Sequence, residues 1–162
     1  MKIFIDGSAG TTGLRIKDRL MKRSDVELIT LSEEQRKDTE SRKQALNSAQ
    51  VAFLCLPDAA AVEAVELVEN PDTVIIDTST AHRTSEGWAY GFPELSAEFE
   101  DKIKNSKRIA VPGCHAGGFI ALVYPLVEAG VLGKDALLSC YSLTGYSGGG
   151  KKMIAEYESE DK

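Results

Sequence analysis

The sequence predicts an α/β fold, in which a doubly wound, mostly parallel sheet is followed by the start of a second, α+β domain. Short apolar runs rich in β-branched residues alternate along the chain with longer segments of helical periodicity, which is typical of βαβ units. The character of the sequence changes after Gly130, where a new apolar run leads into a glycine-rich segment. We therefore predict a first domain over residues 1–133 and the beginning of a second over residues 134–162.

Five strands of the first domain are predicted from their apolar, β-branched runs. They span residues 2–6, 26–31, 51–56, 73–77 and 108–111. Helices are predicted between them, where apolar positions recur at helical spacing. They span residues 11–22, 59–68 and 96–104, with a fourth that begins close to Cys114 and contains Pro125. We expect Asp58 to cap the second helix and a further strand, 136–144, to open the second domain.

Composition and charge exclude several classes of protein. Lys and Arg together number 19 against 25 Asp and Glu, which gives a net charge of −6 and disfavours a nucleic-acid-binding surface. No apolar run is long enough to span a membrane, and the N-terminus lacks the layout of a signal peptide. We therefore expect a cytoplasmic protein without nucleic-acid or membrane partners, whose three cysteines are reduced thiols.

A glycine-rich turn separates the first predicted strand from the first predicted helix. Gly7, Gly10 and Gly13 follow the spacing G-x-x-G-x-x-G, which differs from the dinucleotide fingerprint G-x-G-x-x-G. Glycine lets the backbone approach a pyrophosphate closely, and the helix N-terminus offers free N–H groups to it. A tight strand-to-helix turn is the plainer interpretation. At the start of a βαβ pattern, however, the turn favours a Rossmann-like dinucleotide-binding fold.

The cofactor preference depends on the segment that follows the second predicted strand. An acidic residue there holds the ribose 2′-hydroxyl of NAD, whereas an arginine accommodates the 2′-phosphate of NADP. Glu33 could take the hydroxyl, while Ser32, Arg36 and Lys37 could take the phosphate. A solvated charged loop is the competing interpretation. We favour NADP.

Cys114 lies where the fifth predicted strand ends and the last predicted helix of the first domain begins. A helix N-terminus stabilises a thiolate, and ligands bind at this edge of open α/β sheets. Cys114 is thus the candidate nucleophile, while we expect Cys55 and Cys140 to be small buried apolar residues. His115 does not face Cys114 on a helix. His82 could be a base, although an exposed loop histidine is the expectation.

Two other chemistries are disfavoured. A zinc site is not expected, because no pair of Cys or His residues shows the short spacing of such ligands. Residues 145–152 nearly match the phosphate loop of nucleotide triphosphatases, but Lys152 replaces the hydroxyl residue that binds magnesium. This glycine-rich segment could instead line an anion pocket or form a flexible turn.

Taken in order, the motifs resemble those of N-acetyl-γ-glutamyl-phosphate reductase, and more closely its shorter subgroup. The resemblance covers the whole chain, and the Tyr-Gly-x-Pro-Glu-Leu and Pro-Gly-Cys motifs are its most specific parts. The residues that carry it are Ile5-Asp6-Gly7, Gly10-Thr11-Thr12-Gly13-Leu14, Leu56-Pro57, Asp77-Thr78-Ser79, Arg83, Tyr90-Gly91-Phe92-Pro93-Glu94-Leu95, Pro112-Gly113-Cys114 and residues 145–151.

The resemblance implies an NADPH-dependent reduction of an acyl phosphate to a semialdehyde in arginine biosynthesis, through a thioester on Cys114. It implies a small acyl-phosphate substrate and a homo-oligomer when the protein is full length; the spacing of Cys and His residues had already made a metal site unexpected. The cofactor-binding residues it implies are Gly7, Gly10, Thr11, Thr12, Gly13, Ser32, Arg36 and Pro57. The substrate-binding residues it implies are Arg83, Ser147, Gly148 and Gly149.

Members of this family are considerably longer, and their catalytic base lies in the C-terminal domain. We therefore expect the sequence to be the N-terminal, cofactor-binding portion of a larger enzyme. The alternative is a non-catalytic dinucleotide-binding or redox-sensing module, in which Cys114 is only a reactive thiol.

Overall fold

Six strands form one sheet in which every neighbouring pair is parallel. The structure, a computed structural model, describes residues 1–159 except for the side chains of residues 11, 147 and 149–152. The strands are β1 (Lys2–Asp6), β2 (Glu27–Ile29), β3 (Val51–Leu54), β4 (Val74–Asp77), β5 (Ala89–Tyr90) and β6 (Arg108–Ala110). Their order across the sheet is β2-β1-β3-β4-β6-β5. The predicted fold class is confirmed, and the short strand β5 was not predicted.

Helices connect these strands and continue beyond the sheet. They are α1 (Thr11–Leu20), α2 (Thr39–Ser48), α3 (Asp58–Glu66), α4 (Ala97–Asn105), α5 (Cys114–Glu128) and α6 (Gly150–Glu158). The sequence did not predict α2, because Ala45 and Leu46 are its buried residues and most of the rest are polar. The Asp38 carboxylate begins α2 by accepting the Ser41 N–H at 2.8 Å, which satisfies one of the free donors of its first turn.

The apolar core lies between the sheet and the pair α2 and α3. Phe4, Ala52, Leu54 and Ile75 share one face of β1, β3 and β4, because alternate strand residues point to the same side. They form one buried cluster with Ala45, Leu46, Ala49, Ala61 and Ala64. Right-handed crossovers explain the arrangement, since β2 to β3 and β3 to β4 run in the same direction across the sheet.

The chain divides into two units, Met1–Ala121 and Leu122–Lys162. The sheet belongs to the first unit. In the second, the expected strand 136–144 is wrong, because these residues form neither strand nor helix; a strand needs a hydrogen-bonded neighbour to persist. The domain boundary near Lys134 stays a prediction. No helix within residues 1–159 is long and apolar enough to cross a bilayer.

Candidate active site at the carboxyl edge of the sheet

The direction of the chain reverses between β1 and β3. The connection from β1 leads outward to β2, while the connection from β2 returns past β1 to β3. Loops that leave the carboxyl ends of two such strands part in opposite directions, and ligands of open α/β sheets bind in the crevice between them. This crevice lies between the glycine turn after β1 and residues 55–57 after β3.

The glycine turn is packed so tightly that two of its positions accept no side chain. Gly7 has φ +82°, and a Cβ on it would lie 2.2 Å from the Cys55 carbonyl oxygen. A Cβ on Gly13 would lie 2.4 Å from the Gly7 oxygen. Gly10 donates its N–H to the Gly7 oxygen at 3.0 Å and begins α1 without a side-chain cap. The first N–H groups of α1 can therefore serve a bound anion.

Thr11 and Thr12 are the first residues of α1. Thr12 is exposed, and the Thr11 side chain lies outside the described residues. Pro57 is exposed and holds the N-cap position of α3, shortly after β3 ends. The structure thus brings the predicted pyrophosphate residues and Pro57 to the same crevice.

The prediction that Asp58 caps the helix after β3 is wrong. Asp58 is the first residue of that helix, α3, and Pro57 holds the cap position without a side-chain hydrogen bond. The Asp58 carboxylate instead accepts the Thr80 N–H at 2.9 Å and the Thr80 hydroxyl. These hydrogen bonds lower the pKa of Asp58, because they favour its charged form. They tie α3 to the loop that follows β4.

A cavity of about 180 Å³ lies beside the glycine turn, between α1 and the end of β2. Its wall combines apolar side chains with two cations, Lys17 and Arg36. Arg36 donates its Nε–H to the Ser32 carbonyl at 3.4 Å, and the Ser32 hydroxyl accepts the Gln35 N–H at 3.2 Å. These hydrogen bonds hold Ser32 and Arg36 together in the turn of residues 32–36, and their role in cofactor binding stays a prediction. Lys17 was missed, although it follows Gly13 by one helical turn.

Cys114 is exposed at the first position of α5, at the same edge of the sheet as the glycine turn. The backbone before it is anchored: Val111 donates its N–H to the Asp77 oxygen at 2.8 Å, and Gly117 donates to the Gly113 oxygen at 2.7 Å. An exposed thiol at a helix N-terminus is accessible to substrate and faces the positive end of the helix dipole.

The other two cysteines differ from Cys114 and from each other. Cys55 is half-buried, and burial raises the pKa of its thiol to about 11, which leaves it protonated and unreactive near neutrality. Cys140 is exposed, so the expectation that it is buried was wrong.

Arg83 reaches across to the segment that precedes Cys114. Its Nε–H donates to the Val111 carbonyl at 3.0 Å, and its Nη2 donates to the Thr78 carbonyl at 3.3 Å. Its Nη1 lies 2.7 Å from the point where Gly113 would carry a Cβ. A side chain at position 113 would therefore displace this guanidinium from its present place. A fixed cation next to the loop that precedes Cys114 can hold an anionic group of a ligand.

His82 corrects another prediction, because the expected exposed loop histidine is buried at 8% exposure. Its Nδ1 lies 2.7 Å from Oδ2 of Asp77, and its ring stacks on Trp88 at 4.1 Å. Asp77 is fully buried and was not predicted as part of this site. A signal was available: an Asp at the end of a strand, followed two residues later by Ser, is typical of a side-chain-capped turn.

Ser147, Gly148 and Gly149 lie in a 3₁₀ turn, Tyr146–Gly149, of the second unit. The side chain of Ser147 falls outside the described residues, and Gly148 donates its N–H to the Gly145 oxygen at 2.9 Å. Their role in substrate binding stays a prediction. The phosphate-loop interpretation of this segment loses its setting, since a strand does not precede it.

Comparison with known proteins shows which family this sequence matches. Residues 2–105 match the family described as semialdehyde dehydrogenase, NAD binding domain. Curated N-acetyl-gamma-glutamyl-phosphate reductase of Chelativorans sp. is 54% identical over 157 residues, which are 97% of this chain and 51% of that protein. The protein named N-acetyl-gamma-glutamyl-phosphate reductase 2 in Pseudomonas putida is 51% identical over 96% of this chain and 50% of its own length. The chain thus spans about half the length of the curated relatives it matches.

Solved structures agree on the fold. Aspartate semialdehyde dehydrogenase from Francisella tularensis superposes with a TM-score of 0.59 at 18% identity, over 100% of this chain and 52% of that one. Aspartate semialdehyde dehydrogenase from Candida albicans, solved with NADP, superposes with a TM-score of 0.57 at 18% identity, over 78% of this chain and 46% of that one.

Proposed function

The chain belongs to the family of semialdehyde dehydrogenase NAD-binding domains, and from this premise we propose that it is the cofactor-binding part of an NADP-dependent N-acetyl-γ-glutamyl-phosphate reductase. The reaction converts N-acetyl-γ-glutamyl phosphate to N-acetylglutamate semialdehyde and inorganic phosphate. One observation carries the proposal: the glycine turn at Gly7 and the exposed thiol of Cys114 occupy the same carboxyl edge of one parallel sheet.

The residues of the crevice fit a phosphorylated dinucleotide. Backbone N–H groups at Gly10, Thr11 and Thr12 would bind its pyrophosphate at the N-terminus of α1, and Gly7 and Gly13 let the backbone fold closely enough to present them. The cavity beside the turn has apolar walls for an adenine and two cations, Lys17 and Arg36. A cation pair is suited to the 2′-phosphate of NADP rather than to a bare ribose hydroxyl. Bound NADPH supplies the hydride that reduces the acyl group.

Cys114 supplies covalent catalysis. Its thiolate sulfur attacks the acyl carbon, a carbon–sulfur bond forms, and the bond to the phosphate oxygen breaks with that electron pair on the departing phosphate. The thioester divides one difficult step into two easier ones. Cys114 is the exposed first residue of α5, which leaves its sulfur open to the substrate.

Arg83 is the cation placed to hold the phosphate of the substrate. Its Nε–H and Nη2 donate to main-chain carbonyls on either side of the loop, so its guanidinium is fixed against Gly113 before any substrate arrives. A preorganised cation stabilises charge without the cost of reorganisation.

We also propose that Ser147, Gly148 and Gly149 contact the substrate, that the full-length protein forms homo-oligomers, and that it acts in the cytoplasm in arginine biosynthesis.

The second candidate is a non-catalytic dinucleotide-binding or redox-sensing module. The exposure of Cys114 favours it, since an accessible thiol at a helix N-terminus is also the setting of redox-sensor cysteines. The two functions differ in one property: only the reductase couples NADP reduction to inorganic phosphate.

The test is an assay in the reverse direction, with N-acetylglutamate semialdehyde, NADP and inorganic phosphate. It compares this chain with a chain extended to the length of the curated relatives. The extended chain should form NADPH only when phosphate is present, and Cys114→Ser should abolish this activity. Cys140→Ser is the matched control, because it changes another exposed cysteine and should leave the rate unaltered. Substantial turnover by Cys114→Ser would remove the covalent mechanism.

A further inference from the structure

We propose that His82 is a positioning residue, which acts through a hydrogen bond to Asp77 to hold Arg83 against the loop of Cys114. The inference rests on the proposed function for the role of Arg83, but not for the contacts themselves. It assigns a purpose to a buried histidine that the reaction described above does not use.

The Asp77 carboxyl group is buried and makes several hydrogen bonds. The side chain is fully buried at the end of β4. Oδ1 accepts the Ser79 N–H at 3.0 Å, while Oδ2 accepts the Ser79 hydroxyl at 2.6 Å and lies 2.7 Å from the Nδ1 of His82. A buried carboxyl needs such partners, because an unpaired one loses its hydration without compensation. The loop after β4 is thereby folded back onto its own strand.

Two contacts fix the orientation of the His82 imidazole. Nδ1 faces the carboxylate, and the ring lies nearly parallel to Trp88, at 4.1 Å between centroids and 13° between planes. The ring is thus held on one edge by a polar contact and on one face by an apolar contact. These two contacts can be removed separately by substitution, which makes their roles distinguishable.

A chain of hydrogen bonds connects the His82 loop with the backbone that precedes Cys114. Arg83 is the next residue, and its guanidinium spans from the Thr78 carbonyl to the Val111 carbonyl. Val111 in turn donates its N–H to the main-chain oxygen of Asp77. Asp77 therefore contacts both segments that position Arg83. Its carboxylate binds His82, the residue before Arg83, and its main-chain oxygen accepts from Val111 at the end of the strand that leads to Cys114. If His82 releases Asp77, the backbone that aims Arg83 loses its attachment.

Two substitutions of His82 separate the contacts. His82→Asn keeps an N–H donor at the position of Nδ1 and removes the ring from Trp88. His82→Phe keeps an aromatic ring on Trp88 and removes the donor to Asp77. A residue that only filled space would need the ring, whereas a residue that positions Arg83 through Asp77 needs the donor.

The readout is the hydrogen exchange of the Arg83 Nε–H, measured by NMR on this chain, with the Ile75 amide, which donates to the Lys107 oxygen, as the internal reference for the fold. We expect His82→Phe to accelerate exchange of the Arg83 Nε–H by about tenfold or more, and His82→Asn to leave it near the wild-type rate. The opposite pattern, with the Nε–H protected in His82→Phe and exposed in His82→Asn, would overturn the proposal.

A kinetic measurement on the extended chain separates this inference from the proposed function. In the reverse assay His82→Phe should raise the KM for inorganic phosphate about tenfold while the KM for NADP stays unchanged, and His82→Asn should restore the wild-type KM. An unchanged KM for phosphate in His82→Phe would contradict the positioning role. If the NMR pattern appears but no chain reduces NADP in the presence of phosphate, the role of His82 stands and the proposed function fails.

Discussion

The α-carbon of Gly7 lies so close to Cys55 that a Cβ on Gly7 would come within 2.2 Å of the Cys55 carbonyl oxygen. Gly7 also has φ +82°, a conformation that side chains disfavour. The end of β3 thus closes directly on the turn that follows β1. This contact fixes the floor of the crevice in which we place the cofactor.

Gly7→Ala should destabilise the protein by more than the left-handed φ alone explains. Gly87 is the matched control, because it has φ +80° but open space around its missing Cβ. We expect Gly87→Ala to cost about 1 kcal/mol, and Gly7→Ala to cost clearly more and to weaken NADPH binding. Urea unfolding and calorimetric titration measure both. Equal losses of stability in the two variants would show that the contact with Cys55 has no energetic importance.

Arg42→Met should destabilise the protein by about 3 kcal/mol near neutral pH, because it leaves a buried carboxylate without its partner. Asp6 is 5% exposed, and its Oδ2 accepts from Nε and Nη2 of Arg42 at 3.1 and 3.0 Å. Lys43→Met is the control, since solvent screens the Lys43–Glu69 pair, whose side chains are 33% and 71% exposed, and its loss should change stability far less.

The penalty of Arg42→Met should also depend on pH. Burial raises the pKa of Asp6 above its ordinary value despite the opposing effect of Arg42. A carboxyl group whose pKa is raised by folding favours the folded state at low pH, and this contribution is lost as the pH rises through the folded pKa. Removing Arg42 raises the pKa of Asp6 further, so the penalty should be larger at about pH 8 than at about pH 4.5. A penalty that is constant across this range would contradict the assignment.

Cys114 should react with iodoacetamide well before Cys55. Burial raises the pKa of Cys55 from 9.0 to about 11, which lowers its thiolate fraction about a hundredfold at mildly alkaline pH. Cys114 is exposed at the start of α5. Peptide mapping by mass spectrometry after timed labelling gives both rates, and comparable rates at the two cysteines would refute the difference in environment.

Much of the fold could be predicted because its signals are local. The alternation of apolar runs and helical segments specified the parallel sheet, and the glycine spacing located the turn at Gly7. Cys114 was placed correctly at a helix start because Pro-Gly before it ends the strand. Helix α2 escaped prediction, since a helix that buries little more than Ala45 and Leu46 shows no clear apolar stripe.

The remaining features depend on contacts between distant parts of the chain. His82 is buried because Asp77 and Trp88 meet it from the two sides of a loop, and no periodicity reveals such a contact. Lys17 joins Arg36 at one cavity only because α1 and the end of β2 lie together. Residues 136–144 carry an apolar, β-prone pattern but form no strand, since such a pattern becomes a strand only beside a hydrogen-bonded neighbour.

We propose that this chain binds NADP through the glycine turn and the cavity that contains Arg36. Calorimetric titration of the chain with NADPH and with NADH tests it most directly, alongside Arg36→Ala and, as a control for lost charge, Lys22→Ala at an exposed position. We expect NADPH to bind at least about tenfold more tightly than NADH. Arg36→Ala should remove this preference, whereas Lys22→Ala should retain it. Equal affinities of the unaltered chain for NADPH and NADH would refute the assignment of Arg36 to the 2′-phosphate.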